Sequence, residues 1–506
     1  MVKLLVYLRS PWFTPDQLMN RGTPEPEMGS DPSKNGQRTM FPVSQVSLTN
    51  KTLIMWKWPI LSMVGCLMIL GTFAQRKYSV SSSFLSYKGL IMAGYHGWFN
   101  APGDGAGMGW NHYATNGRFE PGYCKIDFWP EMSEYQKTYR TPFNLADGRP
   151  ALLFSAYDSQ TVALHFKWMK DYGVDGIFIQ CSVKALKNPV NLRHDDQVLR
   201  NAMRESQRFH RAIAIMYDFE GMNEVNKDYR VVIDDWKYLV DSLHIGCGGD
   251  RQTYLYHNGN PLVGIWGVGF PERSNDLKAT ERVIDFLKND PAYGGCSILL
   301  GVPCFWRDFG KDTEKDPYLH QLLRKVDIVR PWFVGRFDED SYPGFRDRIK
   351  ADIEWCRQNK LDYAPVVFPG FSWHNMHPES TAPTIPRKRG RFYWQQFVGA
   401  ISEGAEMIYV AMFDEIDEGT AIFKTTNTPP VGLSKFEIFE SDVPSDYYLY
   451  LTGVAGLMLK KRIPFQTDMP SQKGMPLSKM MSLRNEAPVQ TNTGLQRSGT
   501  TRREEQ

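Results

Sequence analysis

Four acids fall within five positions, Asp414, Glu415, Asp417 and Glu418, directly after an apolar run reading MIYVAMF. Like charges this close raise one another's pKa, so one carboxyl can stay protonated as an acid beside an ionised base. Glycoside cleavage needs such a pair. A solvated acidic turn or a cation site is the competing reading, and position in the fold decides between them. In a regular strand, residues three apart point to opposite faces, so Glu415 and Glu418 share a site only if the chain leaves β geometry after Asp414. Gly419 suits such a turn. Carboxyls about 5 to 5.5 Å apart serve retention and about 6.5 to 9.5 Å inversion. A three-residue turn reaches either, so spacing leaves the stereochemistry open.

The elements that must position these acids are legible as a repeat. Between residues 88 and 460, short apolar runs alternate with amphipathic stretches. The runs are Leu90 to Tyr95, Asp175 to Gln180, Ala212 to Asp218, Leu262 to Trp266, Cys296 to Leu300, Val326 to Arg330, Tyr363 to Phe368 and Met407 to Phe413. Each has the length of a buried parallel strand. Helical spacing recurs near 160 to 172, 195 to 209, 231 to 243, 278 to 289, 317 to 325, 344 to 359, 391 to 403 and 446 to 459, with Gly173 and Gly404 placed as stops. Eight strands, each followed by a helix, predict an α/β fold of the (β/α)8 TIM-barrel class rather than an open doubly wound sheet. Such barrels build their sites at the C-terminal ends of the strands. Those ends carry Tyr95 to Phe99, Tyr217 to Glu220, Trp266, Phe371 to His374 and the acids themselves. The loop after the first strand runs roughly 60 residues and is expected to build a wall over the site.

Composition excludes several classes. Lys+Arg minus Asp+Glu is 59 − 56 = +3 over 506 residues, too little for a nucleic-acid footprint. The 14 Trp, 24 Tyr and 29 Phe suit flat ligands such as sugars, although large rings also serve as packing. Seven cysteines show no CxxC or Cys/His spacing, so neither a metal nor a cofactor is expected. Cys181 and Cys296 read as buried thiols, and the others leave room for one or two disulfides. Pro59 to Ala74 has the length of a secretory apolar core, and a cleavage site follows Ala74. Residues 1–54 are therefore expected to be a non-native or disordered leader, 55–74 a signal peptide, 88–460 the catalytic domain and 467–506 a disordered tail. A lipoprotein anchor at Cys66 is the weaker reading. The expected product is a secreted, periplasmic or cell-surface monomer with no membrane span after cleavage.

Glu415-Ile416-Asp417-Glu418-Gly419-Thr420-Ala421-Ile422-Phe423-Lys424 resembles the ExxEGTxIxK signature of the endo-α-mannosidase-like glycoside hydrolases, family 99 with related family 71. The likeness continues in order through Tyr95 with Trp98-Phe99, Trp110-Asn111-His112, Asp127 with Pro130-Glu131, Tyr172 to Gly176, Tyr254 to Leu262, Pro369 to Phe371, and Arg391 with Tyr393, covering roughly residues 88 to 425. The resemblance implies a retaining reaction on an oligosaccharide or polysaccharide. Glu418 would be general acid/base, and Glu415 the base that takes the proton of the sugar's own 2-hydroxyl. Tyr95, His112 and Tyr217 would line sugar subsites. Trp98, Trp110, Asp218, Trp266, Trp373, His374 and Arg391 complete the expected binding set, Trp266 and Trp373 as stacking candidates from their positions, while RKRGR (Arg387 to Arg391) is expected to be a solvated loop. Three departures, Asp414 for the family's Asn, Ile416 for its aromatic and Tyr217-Asp218-Phe219-Glu220 at the third strand, imply another linkage or sugar. An α-glucanase, a xylosidase or arabinosidase, and a non-catalytic glycan-binding barrel are the alternatives.

Overall fold

The computed structural model describes Tyr78 and residues 82–471, except 221, 223–226, 247–251, 274–275 and 381–382. The leader, the signal segment with Cys66, and residues 472–506 of the expected tail lie outside the described residues. The chain opens with β1 (Ile91–Tyr95), the antiparallel pair β2 (Tyr139–Asn144) and β3 (Pro150–Leu153), α1 (Ser159–Tyr172), β4 (Gly176–Ser182), α2 (Val183–Leu186) and α3 (Pro189–Phe209). It continues through β5 (Ala212–Asp218), α4 (Tyr229–Leu243), β6 (Tyr256–His257), β7 (Asn260–Trp266), α5 (Leu277–Asn289), β8 (Ser297–Val302), α6 (Tyr318–Leu323) and β9 (Ile328–Pro331). It ends with α7 (Tyr342–Gln358), β10 (Asp362–Tyr363), β11 (Val366–Val367), α8 (Arg391–Ser402), β12 (Ile408–Val410) and α9 (Tyr447–Leu459).

The parallel strands pair in the order β10-β9-β8-β7-β5-β4-β1-β12-β11, and β6 folds back on β7 as a short hairpin. Because β10 and β11 are consecutive in the chain, the two ends of this sheet meet and the ring closes as a (β/α)8 barrel. The long helices fall within a few residues of the predicted spans, and Gly173 ends α1 in the left-handed region at φ 90. The four-residue α2 and the β2–β3 pair inside the first loop carry no period long enough to predict.

Two strand predictions need correction. The seventh, expected as one strand over Tyr363 to Phe368, is two pieces that pair with different neighbours. Ala364 N donates to Val329 O on one side, and Pro365 O accepts from Tyr409 N on the other. Proline has no N–H to continue a ladder, so the changeover falls there. The eighth strand ends at Val410, short of the expected Phe413. The expected tail also starts too early: Trp394 Nε1, Tyr447 Oη and Tyr450 Oη donate to the carbonyls of Thr467, Pro470 and Ser471, tying that stretch to α8 and α9. All 13 residues of α9 are buried, as expected of a helix apolar on every side that lies between α8 and α1. No helix among the described residues is long and apolar enough to cross a membrane. Cys124, Cys181, Cys304 and Cys356 are buried free thiols, and Cys296 is also buried.

Inside the ring, glycines on three strands make room for long side chains from their neighbours. A Cβ on Gly94 would meet Met412 and the Tyr409 hydroxyl, one on Gly264 would meet Met216, and one on Gly301 would meet Trp266 and Arg330. Large against small is how a closed barrel fills its interior without voids. Between strands the tolerance is lower, since a Cβ on Gly176 would lie 2.0 Å from the Ala212 carbonyl oxygen. Gly176→Ala is therefore expected to lower unfolding free energy by about 3 kcal/mol in urea titration, by forcing β4 from β5. Gly344→Ala, in α7 with open space around it, should be neutral or slightly stabilising in the same assay.

Candidate active site

The acids sit on a turn held mainly by its backbone. Phe413 N still bonds Gly94 O of β1 at 2.8 Å, after which the Glu415 carbonyl accepts from Thr420 N at 3.1 Å and Ala421 N at 2.9 Å. Gly419 closes the turn at φ 63, and a Cβ there would lie 2.8 Å from Ser372 N, so glycine is required twice over. Four further carbonyls are taken by three other parts of the chain. Ile416 O accepts from Asp127 N (3.0 Å) and Phe128 N (3.3 Å) of the first loop, and Glu418 O accepts from Ser372 N (3.0 Å). Arg387 Nη2 donates to Gly419 O (2.9 Å) and Ala421 O (2.7 Å), its guanidinium lying over the rings of Phe128 and Tyr448. Asp127 then locks the first loop to the loop before α8. Its carboxylate accepts from Ser372 Oγ (2.5 Å), His374 N (2.7 Å) and Asn375 N (2.8 Å).

Each acid on the turn has a different environment. Asp414 accepts from His96 N (3.0 Å) and Gly97 N (2.8 Å), fixing the chain just past β1. Glu415 meets His96 Nε2 at 3.0 Å through one oxygen and Thr420 Oγ1 at 2.8 Å through the other. Asp417 meets His112 Nδ1 at 3.3 Å. The two imidazoles cover opposite sides of one indole, with His96 3.6 Å and His112 3.7 Å from the Trp98 ring centre and nearly parallel to it. Burial, reinforced by Asp417 and Asp414, pushes Glu415 well above the usual carboxylate range against the Thr420 hydrogen bond. Burial, then Glu415 and Asp417, do the same to Glu418 against the pull of Arg273. Burial also lowers both histidines, which favours neutral rings.

Across the mouth, Asp218 accepts from Arg273 Nη1 at 2.9 Å, and that guanidinium covers the Trp266 ring at 3.7 Å. Burial raises Asp218 even beside Arg273. Deeper in the ring lies Arg330, fully buried, 4.3 Å above the Tyr409 ring. Its Nε and Nη1 have no hydrogen-bond partner among the described residues.

The structure therefore brings together Glu415, Glu418, His112, Asp218 and Trp266 from the predicted set, with Trp98 between the histidines. Tyr95 and Tyr217 point the other way. Tyr95 Oη bonds His165 of α1 at 2.9 Å and Tyr217 Oη bonds Asp235 of α4 at 2.7 Å, so both face the helices. Side chains alternate along a strand, and Gly94 and Met216 face the interior; His96 and Asp218 follow at the right parity. That alternation was available in the sequence and would have selected His96. Trp98 has both faces covered and cannot stack on a sugar. Trp110 packs on Phe119 and, with Pro102, Tyr139 and Arg140, lines a shallow groove on the wall. Trp373 packs on Phe371 and His377, and His374 Nδ1 is bonded to Ser380 O. Arg391 lies on the outer surface, 62% exposed and paired with Glu339, while Arg387 of the same supposedly solvated loop is the one buried against the turn. Arg273 and Arg330 had no signal beyond being charges near strand ends.

No known family profile matches the chain. It is similar to the glycoprotein endo-alpha-1,2-mannosidase-like proteins of Mus musculus, 26% identical over 217 residues, 40% of this chain and 43% of that one. It is likewise similar to the Homo sapiens protein of the same name, 26% identical over 209 residues, 39% of this chain and 40% of that one. The match thus spans about two fifths of these relatives' length. Its fold is that of the GH99 endo-alpha-mannosidase from Bacteroides thetaiotaomicron, with a TM-score of 0.54 at 16% identity over 74% of this chain and 98% of that one.

Carboxyls held above their ordinary pKa are a stability cost at high pH. Their folded state binds protons more tightly than the unfolded one, so the contribution is intact below the ordinary value and is lost as pH climbs through the raised one. Glu418→Gln, a neutral isostere, should melt higher than the parent at pH 8, and this gain should shrink at pH 4 in thermal scans.

Proposed function

We propose that this chain is an endo-α-mannosidase-like glycoside hydrolase that acts with retention, with Glu418 as general acid/base and Glu415 as the base on the sugar 2-hydroxyl. The carrying observation is the turn ending at Gly419, which buries both glutamates at the C-terminal mouth of the barrel, where burial and the neighbouring acids raise the proton affinity of each. Glu418 keeps the greater exposure of the two, 8% against 3%, which suits it to meet the leaving group.

In this reading Glu418 gives its proton to the leaving oxygen as the bond to the anomeric carbon breaks. Glu415 takes the 2-hydroxyl proton while that oxygen closes on the anomeric carbon, forming a 1,2-anhydro sugar. Water then opens the ring, yielding its proton to Glu418, and Glu415 returns its proton to the 2-oxygen. Two inversions leave the configuration unchanged. Asp414 fits the scheme as a fixed element, because it accepts two backbone N–H groups at once, one per oxygen, which an asparagine's single oxygen would have to share. Export is part of the proposal, supported by the apolar segment Pro59 to Ala74. N-terminal sequencing of the secreted protein should start after Ala74.

Incubation with a panel of α-linked oligosaccharides should release product from a manno-oligosaccharide. Glu415→Gln or Glu418→Gln should each reduce turnover by about 10²- to 10⁴-fold without unfolding. Unchanged turnover in both variants would remove the assignment, and binding without hydrolysis that Glu418→Gln leaves intact would make the barrel a glycan-binding one. Proton NMR of the first product should show the α anomer.

A further inference from the structure

We propose that His96 is a positioning residue for Glu415, and that Trp98 serves as its brace rather than as a sugar platform. The inference rests on the reading of Glu415 as the base. His96 leaves β1 at the parity that faces the mouth, its backbone N–H is fixed by Asp414, and its Nε2 lies 3.0 Å from Glu415 Oε1. Stacking on Trp98 at 3.6 Å sets the plane of the ring, and His112, pinned by Asp417, supports the indole from behind. Thr420 Oγ1 holds the second Glu415 oxygen at 2.8 Å. With Nε2–H turned onto Oε1, each oxygen of the base would accept one hydrogen bond and keep its other lone pair for substrate.

The charged and titratable groups facing His96 come from three directions. They are Asp414, Glu415 and Asp417 on the turn, Asp218 at the end of β5, and His112 behind Trp98. Burial of the imidazole outweighs the pull of Asp414, Asp417 and Asp218 and favours the neutral ring. A neutral donor stabilises the ionised form of Glu415 in surroundings that otherwise disfavour it. His96 thus does two things for the base, orienting it and keeping it a base at lower pH.

The test compares the full chain with His96→Phe, which keeps a ring to stack on Trp98, and His96→Gln, whose amide can replace the Nε2–H donor. On a labelled α-linked manno-oligosaccharide, His96→Phe should lower kcat by about ten- to a hundredfold, the loss of one hydrogen bond to a charged group. KM should stay within about threefold. The acid limb of kcat/KM should move to higher pH, because Glu415 loses a donor to its ionised form, and His96→Gln should restore most of both. Carbon-13 NMR of labelled glutamate, with the Glu415 signal assigned by its loss in Glu415→Gln, reads the same upward shift without turnover. An unmoved limb and Glu415 titration in His96→Phe would overturn the proposal, as would equal defects in both variants with equal losses of melting temperature. Activity lost in Glu415→Gln but normal in His96→Phe would remove only the role of His96, whereas activity retained in Glu415→Gln would remove the reading of Glu415 itself.

Discussion

Burying four carboxylates on one short turn is the constraint from which the rest of the structure follows. Taking an unpaired carboxylate out of water costs several kcal/mol even after relaxation. The chain meets that cost differently for each one: two backbone N–H groups for Asp414, an imidazole and a hydroxyl for Glu415, an imidazole for Asp417, and the field of Arg273 for Glu418. The compensation is incomplete for Asp414 and falls furthest short for the two glutamates, which hold their protons most tightly as a result. The high proton affinity at this mouth is the residue of a folding problem left unsolved.

The same constraint explains why so much chain outside the barrel is spent on the turn's backbone. A loop leaving a strand carries carbonyls that no ladder satisfies. Here they are met by the first loop through Asp127 and Phe128, by Ser372 and by the buried Arg387. Asp127 ties two of these supports to each other, so the wall and the turn form one hydrogen-bonded unit. Part of the aromatic load of the chain lies in this wall, where Phe99, Tyr113, Phe119, Phe143 and Phe154 pack against each other.

Nearly all of the barrel was legible in the sequence, because a buried parallel strand and an amphipathic helix have different periods and the two alternate here once past the first loop. The glutamate pair was legible for the same reason, since its place after the last strand gave it a position at the mouth. Tyr95 and Tyr217 misled because an aromatic at a strand end looks like a platform, yet parity sends each toward a helix and brings His96 and Asp218 inward. Arg387 and Arg391 differ by four positions and by everything else, since only contact with Phe128 and Tyr448 distinguishes the buried cation from the exposed one. Contacts across hundreds of residues leave no local pattern. Arg330 is the extreme case, a charge inside what read as an apolar run.

The seam at Pro365 gives the ring a weakest line. Elsewhere neighbouring strands share ladders of three to seven residues, but the join of β10 to β9 and of β11 to β12 rests on two-residue pieces. Sub-global opening follows the least protected hydrogen bonds, so the cylinder parts first beside β12, the strand that delivers the acids. The acidic turn thus leaves the strand beside the weakest join of its own scaffold. Its rigidity is borrowed from the wall across it, and the cooperative unit that matters for chemistry crosses the conventional division between barrel and loop.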